Sequence, residues 1–140
     1  MYIVFISALQ AGVALHKNCE ASGDLARDLV RRGLTPEVSS SYQLHDYGYE
    51  HGQSFAVRVD NELDVRELAA LAGQFQQSSI LMVDVLENNR TYLIPTAEGS
   101  KREPLGYLKS SHDTPKGPFT QWRGKYWSIK NDDLLDLTNK

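Results

Sequence analysis

Residues 42–52 read Tyr-Gln-Leu-His-Asp-Tyr-Gly-Tyr-Glu-His-Gly, which gathers three of the seven tyrosines, two of the four histidines and two carboxylates. Aromatic faces beside the Glu50 carboxylate suit a cation, and above all a soft onium group. The ring quadrupole attracts such a charge, and little hydration has to be stripped from it. The other reading of residues 42–54 is a solvated hairpin connection whose tyrosines pack on a neighbour. Gln53, Gln74, Gln76 and Gln77 add neutral amides able to read a nucleobase or an amino-acid head group. Gln76-Gln77 lies at a helix end just before a buried strand. It is either a binding corner or simply a polar terminus.

Other chemistries lack their residues. His16, His45, His51, His112 and Cys19 show no zinc spacing, and although His45 and His51 could pair with Asp46 and Glu50, no metal is expected. Gly12 stands alone, so there is no dinucleotide-type glycine loop. Cys19 falls in the first turn of a helix, where a thiolate would be favoured, but with no evident partner base it reads as a small buried residue.

The elements that would position these groups must come from 140 residues, 41% hydrophobic and 24% charged, with a net charge of -3. That is one small domain, too apolar for a disordered chain and with little room for a deep cleft of its own. No apolar run approaches the roughly 18 residues of a membrane span, and the N-terminus lacks signal-peptide features. A single cysteine points to the cytoplasm. The charge is uneven. Residues 1–98 carry seven basic and thirteen acidic side chains, a net of −6, whereas residues 99–130 carry seven and two, a net of +5. Such an arm can bind nucleic acid or dock on an acidic neighbour, and seven charges over a Gly- and Pro-punctuated stretch favour docking, with no nucleic acid expected.

Along the chain, residues 2–8 are apolar on both faces, as in a central strand. Leu25, Leu29 and Val30 recur at helical spacing over residues 18–32, which Gly33 and Pro36 end. Residues 38–42 begin a second extended piece. Phe55, Val57 and Val59 alternate with Ala56 and Arg58 in a half-buried strand. Asn61 caps a helix marked by Val65, Leu68, Ala69, Ala72 and Phe75, with Glu62 and Asp64 in its first turn. Residues 79–85 form a strand, Asn88-Asn89 a turn and residues 91–94 a return strand. This order predicts an α+β fold. It is a ferredoxin-like βαββαβ sandwich, an antiparallel sheet with two helices on one face, plus an irregular C-terminal extension. The expected organisation is a core over 1–98 and an extension over 99–140, packed on the core or on a neighbouring subunit, within a single domain.

Across nearly its whole length the chain resembles the phage S-adenosylmethionine lyases, formerly described as S-adenosylmethionine hydrolases. The matches come in order: Val4-Phe5-Ile6-Ser7-Ala8-Leu9, the helix from Asn18 to Leu29, Tyr42, and Ser54-Phe55-Ala56-Val57-Arg58-Val59. Leu71-Ala72 through Gln77 into Ile80-Leu81-Met82-Val83 follows, then Gly106, Pro115-Lys116-Gly117, Gly124 and Trp127. The resemblance implies a homotrimer with S-adenosylmethionine bound between subunits, no cofactor, and methylthioadenosine and homoserine lactone as products. The implied role is depletion of the S-adenosylmethionine that host restriction and methylation need. Tyr42 matches the family tyrosine. Glu50, the only glutamate of residues 42–54, takes the family glutamate with a small gap, and Gln53 is the other occupant of that position. Gln10 departs from relatives that carry an arginine. In this picture Tyr42 lies beside the sulfonium and Glu50 orients the substrate's ammonium. Ser7, Ala8, Leu9 and Gln10, with Gln53, Ser54 and Gln77, hold the adenosine and amino-acid ends.

Attack by water, giving homoserine, would instead need a base such as Glu50. Two non-catalytic readings compete. One is a trimeric nucleotide-binding regulator of the PII type, disfavoured because residues 42–54 hold no Lys or Arg for a polyphosphate. The other is an inhibitor that binds a host enzyme directly, disfavoured because −6 over 98 residues is weak DNA mimicry.

Overall fold

A computed structural model of the chain describes residues 1–10, 12–45, 48–115 and 117–130, with the backbone alone for 41–45 and 48–51. Eight strands and two helices follow in the order β1 (Tyr2–Ile6), α1 (Leu15–Arg31), β2 (Glu37–His45), β3 (Gly48–Val59), α2 (Glu62–Gln74), β4 (Ser79–Asp84), β5 (Arg90–Pro95), β6 (Glu103–Ser111), β7 (Phe119–Trp122) and β8 (Lys125–Lys130). The strands close an antiparallel barrel in the order β1-β3-β2-β7-β8-β6-β5-β4.

β1 lies between β3 and β4, with Val4 opposite both Val57 and Met82. Its two faces meet different partners. Val4 and Ile6 join Leu25 and Leu29 of α1 and Leu68 and Leu71 of α2 in one core outside the barrel wall. Phe5, with Ile3 packed alongside, joins Ala56, Val83, Leu108 and Trp122 in a second core inside the barrel. That double burial is why the strand is apolar at every position.

The helices are set by their ends. Asn61 caps α2 by accepting from Asp64 N at 2.9 Å. α1 stops at Gly33, whose φ of +81° allows Leu34 N to reach back to Leu29 O. Val30 is exposed, not on the buried stripe assigned to it, and Cys19 is exposed as well.

The ferredoxin-like α+β sandwich expected from the element order is therefore not the fold, and the extension, expected to be irregular, carries three strands, β6 to β8, among its described residues. The first six elements do follow strand-helix-strand-strand-helix-strand, but β5 to β8 continue the sheet until β7 pairs with β2, Phe119 opposite Tyr42. The physical reason is the inner face of β1, β3 and β4, which two helices on the opposite face leave uncovered. Residues 42–54, read as a connection, are mostly the two arms of a long β2–β3 hairpin.

Besides its strand pairing, the tail is anchored by Trp122, which is 4% exposed in the inner core. Burying an indole removes on the order of 200 Å² of apolar surface, roughly 5 kcal/mol as an upper figure. Arg123 pairs with Glu37 at 2.8 Å and stacks over Trp122, and Arg102 pairs with Glu62 at 3.0 Å. Exposed pairs of this kind contribute about 0–1 kcal/mol each, so they orient the tail more than they bind it. Both link a basic residue of 99–130 to an acidic one of 1–98 within the same chain. Among the described residues no helix is long and apolar enough to cross a membrane.

Candidate functional site

Several of the residues implied by the resemblance, with Gln77, meet at the end of β1. Beyond Ile6 the chain leaves the sheet, and Ser7 turns it. Its Oγ donates to the Gln53 carbonyl at 3.0 Å and accepts from Leu9 N at 3.1 Å. The two bonds together tie residues 7–9 to β3. From the other side, Gln77 Nε2 donates to the Leu9 carbonyl at 2.8 Å. Gln77 is itself held by Thr96, which donates to its carbonyl at 2.7 Å.

Gln77 reaches Leu9 because of how α2 ends. Gln77 N returns to Ala72 O and Gln76 N to Gly73 O, the double closure that requires a left-handed residue in between. Gln76 fills that place with φ +64°, a conformation that costs a side-chain-bearing residue about 1–2 kcal/mol. The polar helix terminus is thus also a corner that sends an amide across to β1.

Asn18 completes the arrangement from α1. Its Oδ1 accepts from Gln10 N and its Nδ2 donates to Gln10 O, each at 3.0 Å. A side-chain amide here pairs with a whole peptide unit, as a neighbouring strand would. The segment from Ser7 to Gln10 is therefore gripped by α1, β3 and the α2–β4 junction. Asn18 was not assigned this role from the sequence. The usable signal was a weak helix former in the first turn, where such side chains tend to bond to nearby backbone.

The structure brings Ser7, Leu9, Gln10, Gln53 and Gln77 together. The Ala8 side chain lies in the outer core at 1% exposure, and the Ser54 hydroxyl pairs with Ser39 at 2.7 Å in a buried position. Tyr42 stands opposite His51 on the β2–β3 ladder, and Glu50 opposite Gln43. Their side chains lie outside the described residues. Along β3 Glu50 is three residues from Gln53, about 10 Å at the rise of a strand. Gln53 stands opposite Ser40, two rungs from the Tyr42–His51 pair.

The corner offers amides, hydroxyls and backbone carbonyls, a set suited to hydrogen-bonding a polar organic molecule. Among the described residues no group of three or more His, Cys, Asp or Glu is placed to hold a metal ion. Among the described residues, a perturbed phenol lies at the far end of β1. Desolvation, followed by the Glu62 and Asp84 carboxylates, pushes the Tyr2 phenol above its ordinary value. Cavities of about 150 and 200 Å³ sit at Met1, Glu37 and Trp122 and at Phe5, Leu108 and Trp127.

A family model described as the S-Adenosylmethionine lyase family matches residues 4–130. No curated protein matches the chain.

Proposed function

The chain belongs to the S-adenosylmethionine lyase family, and from that premise we propose that it closes the substrate's own carboxylate onto its γ-carbon, releasing methylthioadenosine and homoserine lactone. The enzyme acts on S-adenosylmethionine, and the family match over residues 4–130 carries that reading. The lactonisation is the finer step, and the chemistry of the available groups supports it.

S-adenosylmethionine brings its own nucleophile and leaving group. A carboxylate oxygen attacks the γ-carbon, the C–S bond breaks, and its electron pair neutralises the sulfonium. No proton is transferred and no metal is required. What the protein supplies is a folded near-attack conformer, worth several kcal/mol of barrier when the reacting atoms are held in line. Groups fixed in place, as residues 7–10 are by Asn18, Gln77 and the Gln53 carbonyl, are suited to that task because they bind without reorganising. Tyr42 lies beside the sulfonium in this proposal, and Glu50 orients the substrate's ammonium.

The assembly is a homotrimer with each site shared between subunits. The protein works in the cytoplasm of a host cell as a phage counter-defence, depleting the methyl donor that restriction and methylation systems use. Incubating the purified protein with S-adenosylmethionine should yield methylthioadenosine and homoserine lactone in equal amounts by mass spectrometry. Unconsumed substrate would contradict the assignment.

A further inference from the structure

An eight-stranded barrel is just wide enough for side chains to fill it or for one small ligand to enter. Here the filling is uneven. Phe5, Trp122 and Trp127 pack ring on ring across the interior, with centroids 5.4 Å apart for Phe5–Trp122 and 5.5 Å for Trp122–Trp127. Beside them lies a cavity of about 200 Å³, walled by Phe5, Leu108, Phe119 and Trp127 from four different strands. The Trp127 Nε1 donates to the Trp122 carbonyl at 2.9 Å, so its N–H is already engaged.

Three hydroxyls also line this cavity, those of Thr91, Thr120 and Ser128. Thr91 donates to the Asn89 carbonyl at 3.1 Å. Thr120 and Ser128 have no side-chain partner among the described residues. Ser128 is only 7% exposed. The Thr120 and Ser128 hydroxyls line the cavity and can bond to what enters it. Apolar walls with two open hydroxyls match the usual make-up of a small-molecule site, in which few polar groups fix the orientation of an apolar body.

We propose that this cavity binds a small, flat, largely apolar molecule that carries one hydrogen-bonding ring edge. A cavity of ~150 Å³ holds one benzene ring, so the larger volume here suits a fused bicycle of roughly nine or ten non-hydrogen atoms. Its polar edge meets Ser128 and Thr120, and its faces rest against Phe119 and Trp127. The site shares no residue with the corner around Ser7 and Gln77 and does not depend on the lyase reading.

Indole and benzothiophene are fitting probes, alike in shape but only the first bearing an N–H. Calorimetric titration of the full chain should show one molecule of either bound per chain. The double variant Ser128→Ala with Thr120→Val, checked by thermal melting to be folded, should weaken indole about 5- to 10-fold and leave benzothiophene unchanged. Absence of saturable binding by both probes up to millimolar concentration would overturn the proposal, meaning the hydroxyls are completed by water alone. Equal effects of the double variant on the two probes would overturn it as well.

Discussion

Replacing Glu50 by glutamine is expected to lower kcat at least ~100-fold and to leave the thermal unfolding midpoint unchanged. Glutamine keeps the shape of the side chain and removes only its charge. A carboxylate that orients the substrate's ammonium holds the near-attack geometry, and misplacing a reacting group by about 1 Å costs roughly 10²-fold in rate. Glu50 sits on β3 opposite Gln43, within a hairpin arm whose pairing does not require the carboxylate. The comparison variant is Gln53→Ala. Gln53 is exposed and contributes its backbone carbonyl to Ser7, which alanine retains. Its loss should therefore cost far less than the loss of Glu50. Steady-state assays of both variants decide the matter. Near-normal turnover in Glu50→Gln with a collapse in Gln53→Ala would transfer the glutamate position's role to Gln53.

The largest effect on stability is expected at Gly106. It lies where the β5–β6 register shifts between Thr91 and Tyr92, and its φ is +131°. A Cβ at this position would overlap the Lys130 carbonyl of β8 and press on the Ile129 side chain. Alanine thus meets two obstacles together, a backbone region closed to L side chains and a rigid carbonyl that cannot step aside. Gly106→Ala should cost about 3 kcal/mol or more, by strain and by lost β6–β8 pairing. Urea unfolding measures this directly. A shift below ~1 kcal/mol would mean that the barrel is not closed tightly between β6 and β8.

How much of this was legible beforehand can be followed residue by residue. Both helices were, because Leu25 and Leu29, and Val65, Leu68 and Ala72, repeat at helical spacing and their caps are local. The Asn88-Asn89 turn was legible for the same local reason, and both residues have positive φ. Barrel closure was not read. It depends on Phe119 reaching Tyr42 across 77 positions and on strands such as Glu103–Ser111, which contains a proline and a glycine. A hint was available in β1. In a two-layer sandwich Phe5 would face water, and its apolar character called for a second layer.

The corner was half legible. Gln77 stood out by type and Ser7 through the resemblance, and both hydrogen-bond to Leu9. Asn18 carried only the weak signal of its type in a first helical turn and Thr96 none, since what they grip is backbone, which carries no residue signature. Ala8 and Ser54 are adjacent in sequence to useful residues, but Ala8, past the end of β1, is buried in the outer core, and alternation along β3 turned Ser54 onto Ser39. The uneven charge was expected to join subunits. In the structure two of its basic residues, Arg102 and Arg123, join the tail to the body of the same chain.

The claim at the centre of this account is that the substrate's carboxylate, not water, attacks the γ-carbon. Turnover in water enriched in oxygen-18 tests it through the position of the label in the four-carbon product. Lactonisation predicts homoserine lactone that carries no label when first formed, and any homoserine derived from it by later ring opening carries label in its carboxyl group. Label in the γ-hydroxyl of homoserine would show direct attack by water and contradict the account.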